Sequence, residues 1–67
     1  MTVTVNGELH EVASGTTVTT LLDTLKIHPL LVTVERNLDI LGRDRYATTV
    51  LQEADTVEIV QMVRGGA

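Results

Sequence analysis

Cysteine is absent from this chain of 67 residues. Its absence excludes disulfides, iron–sulfur clusters and a thiol nucleophile belonging to the chain itself. Phe and Trp are also missing, and Tyr46 is the single aromatic residue, so any core must be aliphatic. Positive charge is scarce: Lys26 and four scattered arginines face nine acidic residues, for a formal charge of −4. Clustered Lys and Arg are what grip a phosphate backbone, so nucleic acid is not an expected partner. A basic groove on another protein suits this charge better, although mild acidity also serves solubility. No apolar run approaches the about 20 residues of a membrane span, and no membrane association is expected. The alternating pattern starts at Met1, without the look of an export signal. The expectation is a cytoplasmic protein, monomeric when free.

What is abundant is β-branched and aliphatic: ten Val, nine Leu and three Ile, a bias toward sheet. Residues 1–6, "MTVTVN", alternate with the period of a half-buried strand. Asn6-Gly7 is a strong hairpin signal because both residues tolerate positive φ, and "ELHEV" reads as the return strand. Whether His10 points inward depends on the hairpin register, which the pattern leaves open. Thr16 and Thr17 are candidate helix caps. Val18, Leu21, Leu22 and Leu25 then form one apolar helical stripe, opposite Thr19, Thr20, Asp23, Thr24 and Lys26. His28-Pro29 is expected to close the helix, since the residue before proline avoids the α region.

"LLVTVER" reads as the next strand, with Val32 and Val34 on one face and Thr33 and Glu35 on the other. Asn37 suggests a turn into the short strand "LDIL". "GRDRYATT" is an irregular connection with a helical turn near Tyr46, and Glu53-Ala54-Asp55 is another turn. "TVEIVQMV" is the last and longest strand. Its alternation sets Val57, Ile59, Gln61 and Val63 on one face and Glu58, Val60 and Met62 on the other. A single helix against four or five strands predicts a two-layer α+β domain. The expected architecture is a β-grasp, with the first and last strands side by side in the middle of a mixed sheet. The domain is expected to occupy residues 1–63, followed by a flexible tail at 64–67.

No catalytic constellation emerges. His10 and His28 lie on either side of the helix without a nucleophile beside them and read as structural or solvated. Asp39, Asp44, Glu53, Asp55 and Glu58 lack metal-ligand spacing and read as solvated loop and strand-face residues. Gly15 and Gly42 belong to no phosphate-cradling pattern. The notable feature is the ending "RGGA", directly after the most apolar strand. Residues 64–66, fully extended, reach about 10 Å at roughly 3.3–3.6 Å each. That suffices to thread a narrow tunnel, and a side chain at Gly65 or Gly66 would widen the thread and restrict its backbone. A carboxylate presented this way is a poor electrophile until ATP converts it to an acyl-adenylate.

Over its whole length the chain resembles the ubiquitin-like sulfur carriers, the ThiS/MoaD family, and their thiamin-pathway branch above all. "TVTVNGELHEVASGTTVTTLLDTL" is similar to that family's opening hairpin, helix start and leucine stripe. "LLVTVERNLDILGRDRYATTVLQEADTVEIVQMVRGG" is similar to its later strands, acidic turn and final strand leading to Gly-Gly. The resemblance implies a protein co-substrate that catalyses nothing and binds no cofactor. A ThiF-like adenylyltransferase, using ATP and Mg, would adenylate the carboxylate of Gly66. Sulfur originating from a cysteine desulfurase would convert it to a thiocarboxylate, for delivery to a ThiG-like thiazole synthase. Gly65 would be the thin approach and Arg64 a steering charge at the partner's surface. Val60 and Met62 would form the partner-binding surface, since methionine adapts to partners that bind and release.

Ala67 departs from that pattern, because it holds the Gly66 carboxyl in an amide. Trimming by a protease is the preferred account; tolerance by the partner and an inactive chain are the alternatives. The residues leave other readings open: a carrier for a different sulfur acceptor such as molybdopterin or cysteine, a ubiquitin-like modifier forming isopeptide bonds, or a plain β-grasp binding module.

Overall fold

The computed structural model describes residues 1–61 of the chain. The alternating N-terminal residues form β1 (Thr2–Val5), which turns through Asn6 and Gly7 into β2 (Glu8–Glu11). Both turn residues have the positive φ that a tight hairpin requires, +50° and +84°. Helix α1 (Val18–Thr24) follows, then β3 (Val32–Arg36), β4 (Asp39–Leu41) and β5 (Thr56–Gln61). The five strands lie in the order β2-β1-β5-β3-β4, with β1 and β5 parallel and the other pairs antiparallel. This is the β-grasp arrangement expected from the sequence, with its first and last strands adjacent inside the sheet. No helix among the described residues is long and apolar enough to cross a membrane.

Helix α1 covers one face of the sheet. Val18, Leu21 and Leu22 meet Val3 and Val5 of β1, Val32 and Val34 of β3, and Val57 of β5 in a single buried cluster. Tyr46 and Leu51, from the long connection between β4 and β5, complete that cluster, with Leu25, Ile27 and Ile59 packed at its margin. The 3-10 turn Arg43–Arg45 realises the helical turn expected there and drops Tyr46 into the core at its end. At the helix start, the Thr20 N–H donates to Thr17 Oγ1 at 3.1 Å, so Thr17 is the cap.

The helix ends earlier than the sequence suggests. It stops at Thr24, with Leu25 as its cap and Lys26 in the left-handed region at φ +60°. The Lys26 N–H donates to the Asp23 carbonyl at 3.0 Å and the Ile27 N–H to the Leu22 carbonyl at 2.9 Å, the paired bonds of a Schellman stop. These satisfy carbonyls the helix would otherwise leave open, before His28-Pro29 is reached. His28 instead caps a separate 3-10 turn, Pro29–Leu31, its Nδ1 accepting the Leu30 N–H at 3.1 Å. Leu30 and Leu31 therefore belong to that turn and not to β3, and both are about half exposed. The β1–β2 register settles His10: it lies opposite Val3, on the core side of the sheet, and is half-buried.

Asp55 corrects a second expectation. It is not a solvated loop residue but is 6% exposed, the one buried charged side chain among the described residues. Its Oδ2 accepts the Arg36 Nε at 2.7 Å and the Gln52 backbone N–H at 2.8 Å, while Oδ1 accepts Asn37 Nδ2 at 3.0 Å. Spacing along the chain could not reveal these partners, because Arg36 and Asn37 come from the far end of β3. Burial pushes the carboxyl upward, but the Gln52 N–H, the Asn37 amide and the Arg36 guanidinium outweigh it and hold the group below its ordinary 3.8.

Two expectations follow. Lys26→Gly keeps the left-handed stop without the Cβ strain, and should stabilise the fold by about 0.5–1 kcal/mol in urea unfolding. The lowered carboxyl of Asp55 contributes stability that is fully present above the unfolded value and is lost as pH falls through the still lower folded value. Asp55→Asn should therefore lower stability at pH 7 and flatten its decline below pH 4, measured by urea midpoints across that range.

Candidate functional site

Of the residues singled out for function, Val60 lies in the described region; Met62, Arg64, Gly65 and Gly66 lie outside it, as do Val63 and Ala67. What can be built from the residues upward is the platform that leads to them. β5 is the central strand, paired with β3 from Val57 opposite Arg36 to Gln61 opposite Val32. Its other edge pairs with β1 only at Thr56 and Val57, because β1 turns away after Val5. Past that point the Asn6 side chain takes over. The Ile59 N–H donates to Asn6 Oδ1 at 2.7 Å, and Asn6 Nδ2 donates to the Ile59 carbonyl at 3.2 Å. A side-chain amide thus supplies the donor and acceptor that a longer β1 would have supplied from its backbone.

The start of β5 is held in the same manner. Asn37, in the β3–β4 turn at φ +52°, accepts the Thr56 N–H on Oδ1 at 2.9 Å and donates its own N–H to the Thr56 carbonyl at 2.7 Å. Both asparagines are legible in the sequence as turn residues. Their second role, gripping β5 from either end, is not, since each partner lies far along the chain.

The end of β5 has two exposed surroundings. On the helix side, Asn6, Ile27, Val32, Ile59 and Gln61 line an open cleft of about 240 Å³. On the outer side, Val60 is 52% exposed, as the alternation predicted. Because Val32 pairs with Gln61, the turn carrying half-exposed Leu30 and Leu31 sits at this same end of the sheet. Those leucines are candidate contact residues that the sequence reading assigned to a strand; the proline directly before them was the available signal of a turn.

Groups for catalysis are not assembled among the described residues. His10 is on β2, which β1 separates from β5, and its Nε2 lies 4.0 Å from Glu8 Oε1. His28 is occupied in capping its turn. Among the described residues no three His, Asp or Glu side chains converge as metal ligands would. Asp39, Asp44, Glu53 and Glu58 are exposed, as expected for solvated groups.

These features define a small β-grasp domain in which the final described strand runs up the middle of the sheet, with Gly65-Gly66 following later in the sequence. The chain belongs to the ThiS family, whose model matches residues 3–66. It is 42% identical over 66 residues to a thiazole synthase of Magnetococcus marinus, covering 98% of this chain and 20% of that protein. It is 40% identical over 50 residues to the sulfur carrier protein ThiS of Bacillus subtilis, covering 75% of this chain and 76% of that one. The crystal structure of the thiamine biosynthesis protein (ThiS) from Geobacter metallireducens superposes with a TM-score of 0.86 at 38% identity, covering 98% of this chain and 100% of that one. The chain spans about a fifth of the length of the thiazole synthases it matches.

Asn6→Gly tests the grip on β5, because glycine keeps the turn conformation and removes only the side-chain amide. It should cost about 1–2 kcal/mol and accelerate hydrogen exchange at the Ile59 amide while leaving the β1–β2 pairing intact.

Proposed function

We propose that this chain is a sulfur carrier of thiamin biosynthesis, working through the carboxyl group of Gly66. The observation that carries the reading is the extent of the family match, which runs through Gly65 and Gly66 and stops short of Ala67. A carbonyl at the end of such a chain becomes reactive when its carboxylate attacks the α-phosphate of ATP, bound with Mg by a ThiF-like adenylyltransferase, and pyrophosphate leaves. The outer sulfur of a persulfide then attacks the acyl carbon and AMP departs, leaving an acyl disulfide; a thiol attacks the donor's sulfur, forms a disulfide with it and releases the thiocarboxylate. A cysteine desulfurase is the source of that sulfur, and a ThiG-like thiazole synthase is its recipient. The domain contributes presentation and docking; the enzymes contribute the catalytic groups.

Each part of the chain has a role in this reading. Gly65 and Gly66 give the narrowest thread available to a polypeptide, and Arg64 steers them at the partner's surface. Val60, exposed on the outer face of β5, and Met62, two positions further along the sequence, meet the partner next to the thread. The thiazole synthases among the relatives favour the thiazole branch over molybdopterin as the destination. Their length supports direct partnership, since a region like this chain makes up about a fifth of each. In the sequence as it stands, Ala67 holds the Gly66 carbonyl in a peptide bond, so activation requires that bond to be hydrolysed, by a protease that removes Ala67.

Intact mass spectrometry tests this directly. The chain ending at Gly66, incubated with ATP, Mg, the adenylyltransferase and a sulfur source, should gain the mass of one oxygen replaced by sulfur. The chain retaining Ala67 should stay unchanged until a protease is added, and Gly66→Ala should lose most of the conversion. An unchanged mass for the trimmed parent would refute the assignment.

A further inference from the structure

The β1–β2 turn carries a reactive pair that the fold holds in check. Asn6 and Gly7 are both exposed, and the space that a Gly7 side chain would fill is open to 4 Å. In an Asn-Gly pair the glycine nitrogen reaches the side-chain amide carbon of the residue before it with little hindrance, because glycine adds no bulk and moves freely. Here that amide is engaged elsewhere. Its Oδ1 accepts the Ile59 N–H at 2.7 Å, and its Nδ2 donates to the Ile59 carbonyl at 3.2 Å. The chain's other asparagine, Asn37, precedes Leu38, whose branched side chain crowds the equivalent nitrogen. The Asn37 amide is also held by Asp55 and by Thr56, at 3.0 and 2.9 Å. Asn6 is therefore the more labile of the two.

We propose that Asn6 is a site of self-modification, at which the domain exchanges its side-chain amide for a carboxyl and loses the clasp on β5. The Gly7 nitrogen gives up its proton to solvent base and bonds to the Asn6 side-chain amide carbon. The bond from that carbon to Nδ2 breaks, and ammonia leaves with a proton. A five-membered cyclic imide remains. Water opens it at the side-chain carbon to give aspartate, or at the main-chain carbon to give isoaspartate. One water enters and one ammonia departs, so nothing is oxidised or reduced. Ring closure turns the amide toward its own backbone, so Asn6 must release Ile59 first. The clasp thus protects the residue while closed. Conversion runs one way, because either product sets a carboxylate oxygen against the Ile59 carbonyl and has no N–H to offer it. Isoaspartate also lengthens the backbone of a two-residue hairpin turn, whose geometry is narrowly defined. The part of β5 beyond its pairing with β1 then loses the contact that stands in for a ladder. None of this involves the sulfur chemistry at Gly66, so it stands apart from the carrier assignment.

The full chain is incubated at mildly alkaline pH, folded and in guanidinium chloride, and its peptides are followed by tandem mass spectrometry. Asn6 should gain the mass of an amide nitrogen replaced by oxygen, ahead of Asn37. The unfolded chain should convert about tenfold faster than the folded one, the protection expected from two hydrogen bonds. Isoaspartate is read separately, as methyl groups accepted from labelled S-adenosylmethionine in the presence of an isoaspartate methyltransferase. Asn6→Gly keeps the turn and has no amide, so it should give neither signal at that position. The converted protein is separated by its added negative charge. Both it and Asn6→Asp should show a lower urea midpoint than the parent and hydrogen exchange at the Ile59 amide about tenfold faster. Four results would each overturn the proposal: no mass gain at Asn6 in the folded chain, equal rates folded and unfolded, earlier conversion at Asn37, or a converted protein whose midpoint and Ile59 exchange match the parent.

Discussion

The structure depends on one constraint: the last strand must run through the centre of the sheet, gripped on both edges. β5 achieves this between a parallel neighbour, β1, and an antiparallel one, β3. Its Val57 and Ile59 reach the core that α1 closes over. A parallel pair cannot be made by a tight turn and needs a crossover. Everything between β1 and β5, helix included, serves as that crossover. The hairpin β1–β2, the helix and the pair β3–β4 are thus consequences of setting the two ends of the domain side by side.

Polar side chains finish what the backbone ladder leaves incomplete. Asn6 and Asn37 occupy left-handed turn positions and also bind the backbone of β5, at Ile59 and Thr56. Asp55 collects Arg36, Asn37 and the Gln52 amide at the point where β5 begins. A buried charge is costly unless it is paired and hydrogen-bonded, and here each oxygen has a partner. These contacts hold the direction in which β5 travels across the sheet.

The two faces of the sheet then divide the labour. One is saturated with Val and Leu under the helix and makes the fold. The other spreads threonines, glutamates and a few exposed aliphatics and remains open. On that face Glu35 lies opposite Glu58 and Thr33 opposite Val60, outside the cluster that makes the fold.

The sequence by itself determined the element types, the core stripe and the hairpin at Asn6-Gly7, because alternation of period two, the helical repeat and turn chemistry are local properties. It also contains Gly65-Gly66, within the stretch that the family model matches. Tertiary structure decided where α1 stops, since the Schellman bonds at Lys26 and Ile27 end it ahead of the proline. It decided that Leu30 and Leu31 form a turn beside the end of β5, that Asp55 is buried, and that Glu35 faces Glu58. Each of these depends on which distant segments become neighbours, and strand register, which sets those neighbours, is established only when the sheet assembles around its core.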